Sequence, residues 1–274
     1  MISNSDKEKY KQDGFVILKS FLPKRIVQKI LIEAKTIFAN QMTIHGIEVP
    51  DLGDSEKFTH AMFELFNKDF DAFVNTGKTV QHLISLHALG VDQKLVVLLK
   101  AIGISFPNIC TRPVMYFNHH CLAKKKIYHT VFSHQDWRSM QGSLDSVVIW
   151  VPLVDINKDL GALQILPESH KNGLTSTSVE EGFGKVELSI KQKKQLISAE
   201  VEQGDIVIFS SFLVHQSGDN ITNNIRWSCH FRYNNIEDPT FINRKYPNPY
   251  IYKPLEELIT KDFPNIEQLK SIFN

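Results

Sequence analysis

The residues with the clearest chemical potential are two histidines and an aspartate in two separate segments. His134 and Asp136 lie two positions apart in SHQDW, and His215 follows the apolar run IVIFSSFLV. On an extended strand, residues i and i+2 point to the same face, so His134 and Asp136 can reach one ion there. The pair alone is a weak motif, and His215 completes it. Two histidines and one carboxylate on one face are typical of the triad that holds non-haem Fe(II).

An arginine eleven residues after His215 adds a second chemical feature. In IRWSCHFRY, the polar residues Arg226, Ser228, His230 and Arg232 alternate with Trp, Cys and Phe, so they share one face of a predicted strand. A planar guanidinium suits two-pronged capture of a carboxylate, and Arg226 therefore predicts an anchor for an acidic co-substrate. His230 and Arg232 are candidates for substrate contact because they share that face.

The elements that must position these residues are predicted from hydrophobic periodicity. GFVIL indicates a short strand, and PKRIVQKILIEAKTIFANQ and most of the chain up to Ile102 have helical spacing. Short β-rich runs separated by polar turns follow, which predicts a sandwich or barrel, and KPLEELITKDFPNIEQLKSIF predicts C-terminal helices. We expect one domain over residues 1–274, with a lead-in to about 105, a β core over about 107–235 and an extension over about 236–274.

Composition excludes several classes of protein. The chain has 274 residues, of which 42% are hydrophobic and 22% charged, as in ordinary globular domains. A formal net charge of +1 disfavours a nucleic-acid partner. The N-terminus lacks the apolar core of a signal peptide, and no long uncharged apolar run predicts a membrane span. We therefore expect a cytoplasmic protein that acts on a small molecule.

The three cysteines disfavour two further kinds of site. Cys110, Cys121 and Cys229 are odd in number and widely spaced, which favours reduced thiols over a disulfide framework. A closed structural zinc site would use four protein ligands, usually including thiolates, and none of these cysteines is placed for it.

Four segments together resemble a known family. They are HQDW, WVPLVD followed by GALQILPESH, VHQSGDN with Arg226 beyond it, and the opening YKQDGFVILKSFL. These segments resemble the phytanoyl-CoA dioxygenase-like family of Fe(II)/2-oxoglutarate-dependent oxygenases, over most of the chain except about residues 41–102. The resemblance implies a mainly β fold with α: a double-stranded β-helix (jelly roll) over about residues 107–235, with N-terminal and C-terminal helices packed outside.

The resemblance also implies roles for individual residues. It implies that the iron ligands are His134, Asp136 and His215. Arg226 is similar to the family's partner for a 2-oxoglutarate carboxylate, and Ser217 and Trp150 match positions that line the co-substrate site. The family often uses a further polar or basic residue upstream of the HxD motif. Here that residue is Asn118, Tyr128 or a lysine of the KKK loop, and the sequence leaves the choice open.

A chemistry follows from the same resemblance. Enzymes of this family use Fe(II), 2-oxoglutarate and O2, and release succinate and CO2 as they oxidise a C–H bond. Asp136 favours hydroxylation or another oxidation over halogenation, because halogenating relatives lack the carboxylate ligand. The polar face of the IRWSCHFRY strand favours a small polar metabolite. The alternative is a metal-binding cupin-like isomerase or a ligand-sensing jelly roll, which would explain the histidines but not Arg226.

Overall fold

The computed structural model describes residues 2–124, 130–180 and 183–247. Its strands are β1 (Phe15–Leu18), β2 (Pro107–Ile109), β3 (Val114–Asn118), β4 (Val147–Pro152), β5 (Leu163–Ile165), β6 (Ser178–Glu180), β7 (Phe183–Lys185), β8 (Ile197–Ala199), β9 (Ile206–Ser210), β10 (His215–Ser217) and β11 (Arg226–Asn235). The major sheet has the order β1-β9-β4-β11-β2, with β3 also paired to β11. The minor sheet has the order β10-β5-β8, and β6 and β7 form a hairpin.

The helices lie mainly before the sheets in the chain. They are α1 (Asn4–Asp13), α2 (Lys24–Ile44), α3 (Ser55–Lys68), α4 (Phe70–Thr79), α5 (Ile84–Gly90), α6 (Gln93–Ala101), α7 (Trp137–Met140), α8 (Ile190–Gln195) and α9 (Pro239–Asn243). Several begin at side chains that accept a hydrogen bond from a free backbone N–H of the first turn, including Asp54 for α3, Asp69 for α4 and Asp92 for α6. The predicted lead-in of one short strand followed by helices is therefore present.

One face of the major sheet packs against these helices. On β11, Trp227, Cys229 and Phe231 belong to a large buried apolar cluster that also contains residues of α2 to α6. The approach is close at Gly90 of α5, where an added Cβ would lie 2.8 Å from the ring of Phe231. The helices thus cover the apolar face of β11 and leave its polar face towards the minor sheet.

The two sheets enclose the second apolar cluster. It combines Val148 and Trp150 of β4 with Leu163 and Ile165 of β5, and with Phe209 of β9. All the strand pairings within these sheets are antiparallel. The predicted jelly roll, with helices packed outside it, is confirmed.

The sequence-based description differs from the structure at the HxD motif. His134 makes a single antiparallel bridge with His215, and Asp136 lies at the start of the short helix α7, so the motif is not on a continuous strand. The chain turns here because the Asp136 carbonyl accepts from the N–H groups of Ser139 and Met140. The predicted C-terminal helices over KPLEELITKDFPNIEQLKSIF lie outside the described residues.

Within the described ranges, no single helix is both long and apolar enough to cross a membrane. The segments Phe70–His82 and Ile84–Ala101 meet that test of length and composition only when taken together, across a bend of 43°. Their apolar side chains include Phe73, Leu86 and Leu98, which are buried in the cluster between the helices and the major sheet.

Candidate metal centre and co-substrate pocket

His134 and His215 are brought together by direct backbone pairing. The N–H of His134 donates to the carbonyl of His215 at 3.0 Å, and the N–H of His215 donates back at 3.1 Å. Residues directly opposite each other in an antiparallel pair point to the same side, and the two ring centroids are 4.2 Å apart. The site is thus built where the segment before α7 meets β10.

Hydrogen bonds to backbone carbonyls fix the orientation of both rings. Nδ1 of His134 lies 2.7 Å from the carbonyl of Phe132, and Nδ1 of His215 lies 2.9 Å from the carbonyl of Leu213. A carbonyl only accepts, so each Nδ1 carries a hydrogen, and each Nε2 is the ring nitrogen that faces Asp136. Burial and the neighbouring His134 lower the pKa of His215 to about 4, so this ring is neutral at pH 7.

Asp136 completes a set of three possible metal ligands. Its Oδ1 lies 3.9 Å from Nε2 of His134, and its Oδ2 lies 3.7 Å from Nε2 of His215. The three ligand atoms all lie within 4.8 Å of one another. Burial alone would raise the pKa of Asp136, but Arg232, His215 and His134 outweigh it and hold that pKa well below its usual range. A carboxylate with two imidazole nitrogens is a donor set that suits Fe(II).

Arg226, the first residue of β11, lies in the same interior beside Ser217 at the end of β10. Its Nη2 donates to Oγ of Ser217 at 3.2 Å, and its Nη1 donates to the carbonyl of Gly161. Ser217 is two residues after His215 and points to the same face, so about 7 Å separates their backbones. The guanidinium is therefore held at a distance from the triad that a short dicarboxylate can span.

The charge of Arg226 has no partner among the described residues. The residue is 5% exposed, and no described carboxylate lies within ion-pair distance of its guanidinium. Burial lowers the pKa of Arg226 to about 10, which still leaves it charged at pH 7. A buried cation without a counter-ion is costly, and a bound anion would relieve that cost.

The remaining predicted residues line the wall of β11 and β4. Ser228, His230 and Arg232 lie on the inward face of β11, as predicted, and Trp150 is directly opposite His230 in the register. Trp150 lies in the apolar cluster between the sheets. His230 is 7% exposed, and its Nε2 has no hydrogen-bond partner within the described part of the chain. Arg232 instead donates to Asp136, at 2.7 Å and 3.2 Å.

The three upstream candidates have different outcomes. Asn118 is directly opposite Arg226 in the pairing of β3 with β11, so it faces the same interior. Lys124 places its ammonium 3.5 Å from the ring centroid of Phe70, on the helical side of the molecule. Tyr128 and the other two lysines of the loop lie outside the described residues.

Several contributors to the site carry no sequence motif. Tyr116 lies opposite Ser228 in the β3–β11 register, and its ring is 5.3 Å from that of His230. The alternation that places Asn118 inward also places Tyr116 inward, so periodicity contains this signal. Gly161 has a left-handed φ of +82°, and an added Cβ would lie 2.8 Å from the Gly218 carbonyl. Residue type assigns this glycine no role in the site, yet its carbonyl accepts a hydrogen bond from Arg226.

A second group of possible ligands lies outside this interior. His119, His120 and Cys121 have ligand atoms within 4.8 Å of one another. Nδ1 of His119 accepts from the backbone N–H of Cys121, however, and Nε2 donates to the carbonyl of Thr222. Both nitrogens of this ring are therefore engaged, which makes the group a weaker metal site than the triad.

Comparison with known proteins places these features in a family. The family model for phytanoyl-CoA dioxygenase (PhyH) matches residues 10–228. The phytanoyl-CoA dioxygenase domain-containing protein 1 homolog of Dictyostelium discoideum is 26% identical over 255 residues, covering 81% of this chain and 88% of that one. The human peroxisomal phytanoyl-CoA dioxygenase is 24% identical over 233 residues, covering 81% and 66% of the two chains.

Solved structures show the same fold. The epimerase SnoN, in complex with Fe3+, alpha ketoglutarate and nogalamycin RO, superposes with a TM-score of 0.57 at 16% identity and 92% coverage of both chains. EctD from S. alaskensis, with 2-oxoglutarate and 5-hydroxyectoine, superposes with a TM-score of 0.54 at 15% identity, covering 86% of this chain and 77% of the other.

The family match extends from the end of α1 to the first residues of β11, and it confirms the predicted class of enzyme, an iron- and 2-oxoglutarate-dependent oxidoreductase. The chain belongs to the phytanoyl-CoA dioxygenase (PhyH) family of Fe(II)/2-oxoglutarate-dependent oxygenases.

Proposed function

We propose that this protein is a dioxygenase that oxidises a C–H bond of a small polar metabolite, with iron held by His134, Asp136 and His215 and 2-oxoglutarate held by Arg226. Iron with 2-oxoglutarate bound would use O2 to oxidise the substrate, and succinate and CO2 would be released. The observation that carries the proposal is the buried guanidinium of Arg226, which has no carboxylate partner among the described residues. It contacts Ser217, the next residue after His215 that points to the same face of β10.

The histidines would bind the metal, and Arg226 would bind 2-oxoglutarate; neighbouring groups orient both. The Nδ1–H of each histidine is held by a carbonyl, so Nε2 is the ring nitrogen that would bind the metal. Arg226 is fixed by Ser217 and Gly161 and would receive the carboxylate of the co-substrate that lies away from the metal. The orientation of both groups is thus set before any ligand arrives.

The polarity of the interior supports a polar substrate. Ser228 Oγ, His230 Nε2 and Asn234 Oδ1 are buried and have no hydrogen-bond partner in the described part of the chain. Buried polar groups almost always find a partner, so a bound molecule with hydroxyl or amino groups would satisfy them better than a hydrocarbon chain. The solved relatives carry 5-hydroxyectoine in one case and nogalamycin RO in another, so the fold itself does not select the substrate.

Anaerobic titration tests the co-substrate assignment. Adding 2-oxoglutarate to the Fe(II)-loaded protein should produce the weak visible charge-transfer band of the chelate. Arg226→Met should weaken 2-oxoglutarate binding about 30-fold or more, since it removes the cation of a buried charge pair. Arg112→Met is the matched control, because Arg112 contacts Gln81 and the Pro113 carbonyl rather than the interior.

The same titration separates the two hypotheses for function. A wild-type protein that binds Fe(II) but gives no band with 2-oxoglutarate would contradict the oxygenase proposal and favour the cupin-like alternative. Once the band is present, a screen for substrate-dependent succinate release identifies the substrate class. Turnover with hydroxylated or amino compounds supports the polar assignment, and turnover confined to fatty acyl compounds contradicts it.

A further inference from the structure

The two oxygens of the Asp136 carboxylate have different surroundings. Oδ1 accepts from Nε of Arg232 at 3.2 Å and from Nη2 at 2.7 Å. Oδ2 lies 3.7 Å from Nε2 of His215, and Oδ1 lies 3.9 Å from Nε2 of His134. Arg232 reaches Asp136 from β11, and the two side chains are 11% and 4% exposed. The contact is therefore a buried, two-pronged, charge-assisted interaction with one oxygen only.

We propose that Arg232 is a positioning residue that restricts Asp136 to one-oxygen coordination of the metal. The inference rests on the proposed function. It also gives Arg232 a different task from the substrate contact that the sequence suggested.

The reason lies in the number of coordination positions. A three-ligand triad leaves three positions at an octahedral ion, two for a chelating keto acid and one for O2. A carboxylate that binds through both oxygens takes one of these positions. Because Oδ1 is already held by two N–H groups of Arg232, only Oδ2 is available to the metal.

An arginine suits this task better than a lysine. The guanidinium is planar and directs two N–H groups at one acceptor, whereas an ammonium is a point charge on a flexible stem. Arg232 also leaves β11 on the face that carries Arg226, so one strand would orient a metal ligand and bind the co-substrate. This pairing explains why a second arginine, partly buried, lies on the inward face of β11.

Nitric oxide, an unreactive stand-in for O2, tests the proposal without turnover. The Fe(II)/2-oxoglutarate complex of the wild type should bind nitric oxide and give an electron paramagnetic resonance signal. In Arg232→Met, Asp136 is free to bind through both oxygens, so the affinity for nitric oxide should fall about 10- to 100-fold, as for other outer partners of metal ligands. Arg232→Lys should give a smaller loss, because it keeps the charge without the two-pronged contact.

Arg138→Met is the matched control. Arg138 is two residues after Asp136, but its guanidinium donates to the carbonyl of Thr175. The Fe(II)/2-oxoglutarate complex of the Arg138→Met variant should bind nitric oxide with the same affinity as the wild type. An equal loss in Arg138→Met and Arg232→Met would overturn the proposal, because the cause would be general loosening of this segment.

The remaining outcomes also decide the question. If Arg232→Met does not fold, the lysine variant alone gives the answer, and unchanged nitric oxide binding and an unchanged charge-transfer band there overturn the proposal. A purely structural role would lower the melting temperature of the metal-free protein and leave both signals intact. Absence of the charge-transfer band in the wild type would instead refute the proposed function.

Discussion

Individual residues of the site depend on partners that are distant in the chain. Arg226 is held by Ser217 and by the carbonyl of Gly161, and Asp136 is held by Arg232, which is 96 positions away. Each contact orients a charged group that would otherwise sample several rotamers. The chemistry of the site therefore depends on neighbours that never touch the reacting atoms.

Ser217→Ala tests this dependence at one hydrogen bond. The change removes the acceptor for Nη2 of Arg226, so we expect the KM for 2-oxoglutarate to rise about tenfold, the equivalent of one lost buried hydrogen bond. The kcat should change little, because the triad is untouched. Steady-state succinate release at varied 2-oxoglutarate gives both constants.

Gln216→Ala is the control for the serine variant. Gln216 is adjacent on β10, but its side chain points to the outer face and donates to Gln164 at 2.7 Å. The KM of Gln216→Ala for 2-oxoglutarate should match that of the wild type. A Ser217→Ala enzyme with an unchanged KM would show that Arg226 does not need this contact.

Residue types alone are enough to predict the triad and Arg226, because imidazole, carboxylate and guanidinium groups have few uses in this combination. The pairing of Arg232 with Asp136 was not predictable, since no sequence spacing relates the two segments that carry them. Gly161 was missed for another reason. It contributes a backbone carbonyl. Every residue has such a carbonyl, so residue type does not show which one contacts Arg226.

Among the elements, β11 was the most predictable and the HxD segment the least. The two faces of β11 differ in chemistry, so alternation alone separated Arg226 and His230 from Trp227 and Phe231. The HxD segment makes only one bridge before α7 begins, and so short an element shows no periodicity. The pairing of its backbone with β10 brings the ligands together instead.

The ends of β1 and β9 are joined by a buried carboxylate, which gives a prediction at the scale of elements. Asp205 accepts hydrogen bonds from the backbone N–H groups of Ser20 and Glu202 and from the ammonium of Lys19. Asp205→Asn removes the charge and should lower the free energy of unfolding by about 1.5–3 kcal/mol at pH 7. Urea unfolding measures the difference.

The pH dependence of this difference has a definite sign. Burial alone would raise the pKa of Asp205, but the hydrogen bonds from Glu202, Lys19 and Ser20 outweigh it and lower that pKa. The stabilisation is therefore complete above the ordinary aspartate pKa of 3.8 and is lost as the pH falls below it. The gap between wild type and Asp205→Asn should narrow only below that pH.

A matched variant separates the carboxylate from its exposed partner. The Lys19 side chain is 62% exposed, so Lys19→Met should cost less than about 1 kcal/mol. If it costs as much as Asp205→Asn, the ammonium rather than the two backbone N–H groups holds the strand ends together.

At the scale of the whole molecule, the helices and the jelly roll share one apolar interior. Phe38 of α2 is fully buried, and its ring lies 5.6 Å from that of Phe73 in α4, 5.2 Å from Phe117 in β3 and 6.2 Å from Trp227 in β11. Hydrophobic periodicity predicted the helix that carries Phe38 and the alternating strand that carries Trp227. It did not predict which strand each helix would contact, because that depends on packing between distant segments.

This shared interior bears on the prediction that residues 1–274 form one domain. If the helices and sheets are a single cooperative unit, urea should remove the helical circular dichroism and the tryptophan fluorescence in one coincident transition.

Phe38→Ala leaves a cavity between the helices and the major sheet and should lower the free energy of unfolding by about 3–5 kcal/mol. Ile44→Ala, at a position 72% exposed on the same helix, should have little effect. The fluorescence is recorded with Trp227→Phe, because Trp227 lies against Phe38 while Trp150 reports on the interior between the sheets. Loss of the helical signal before this fluorescence in Phe38→Ala would mean that the helices fold as a separate unit.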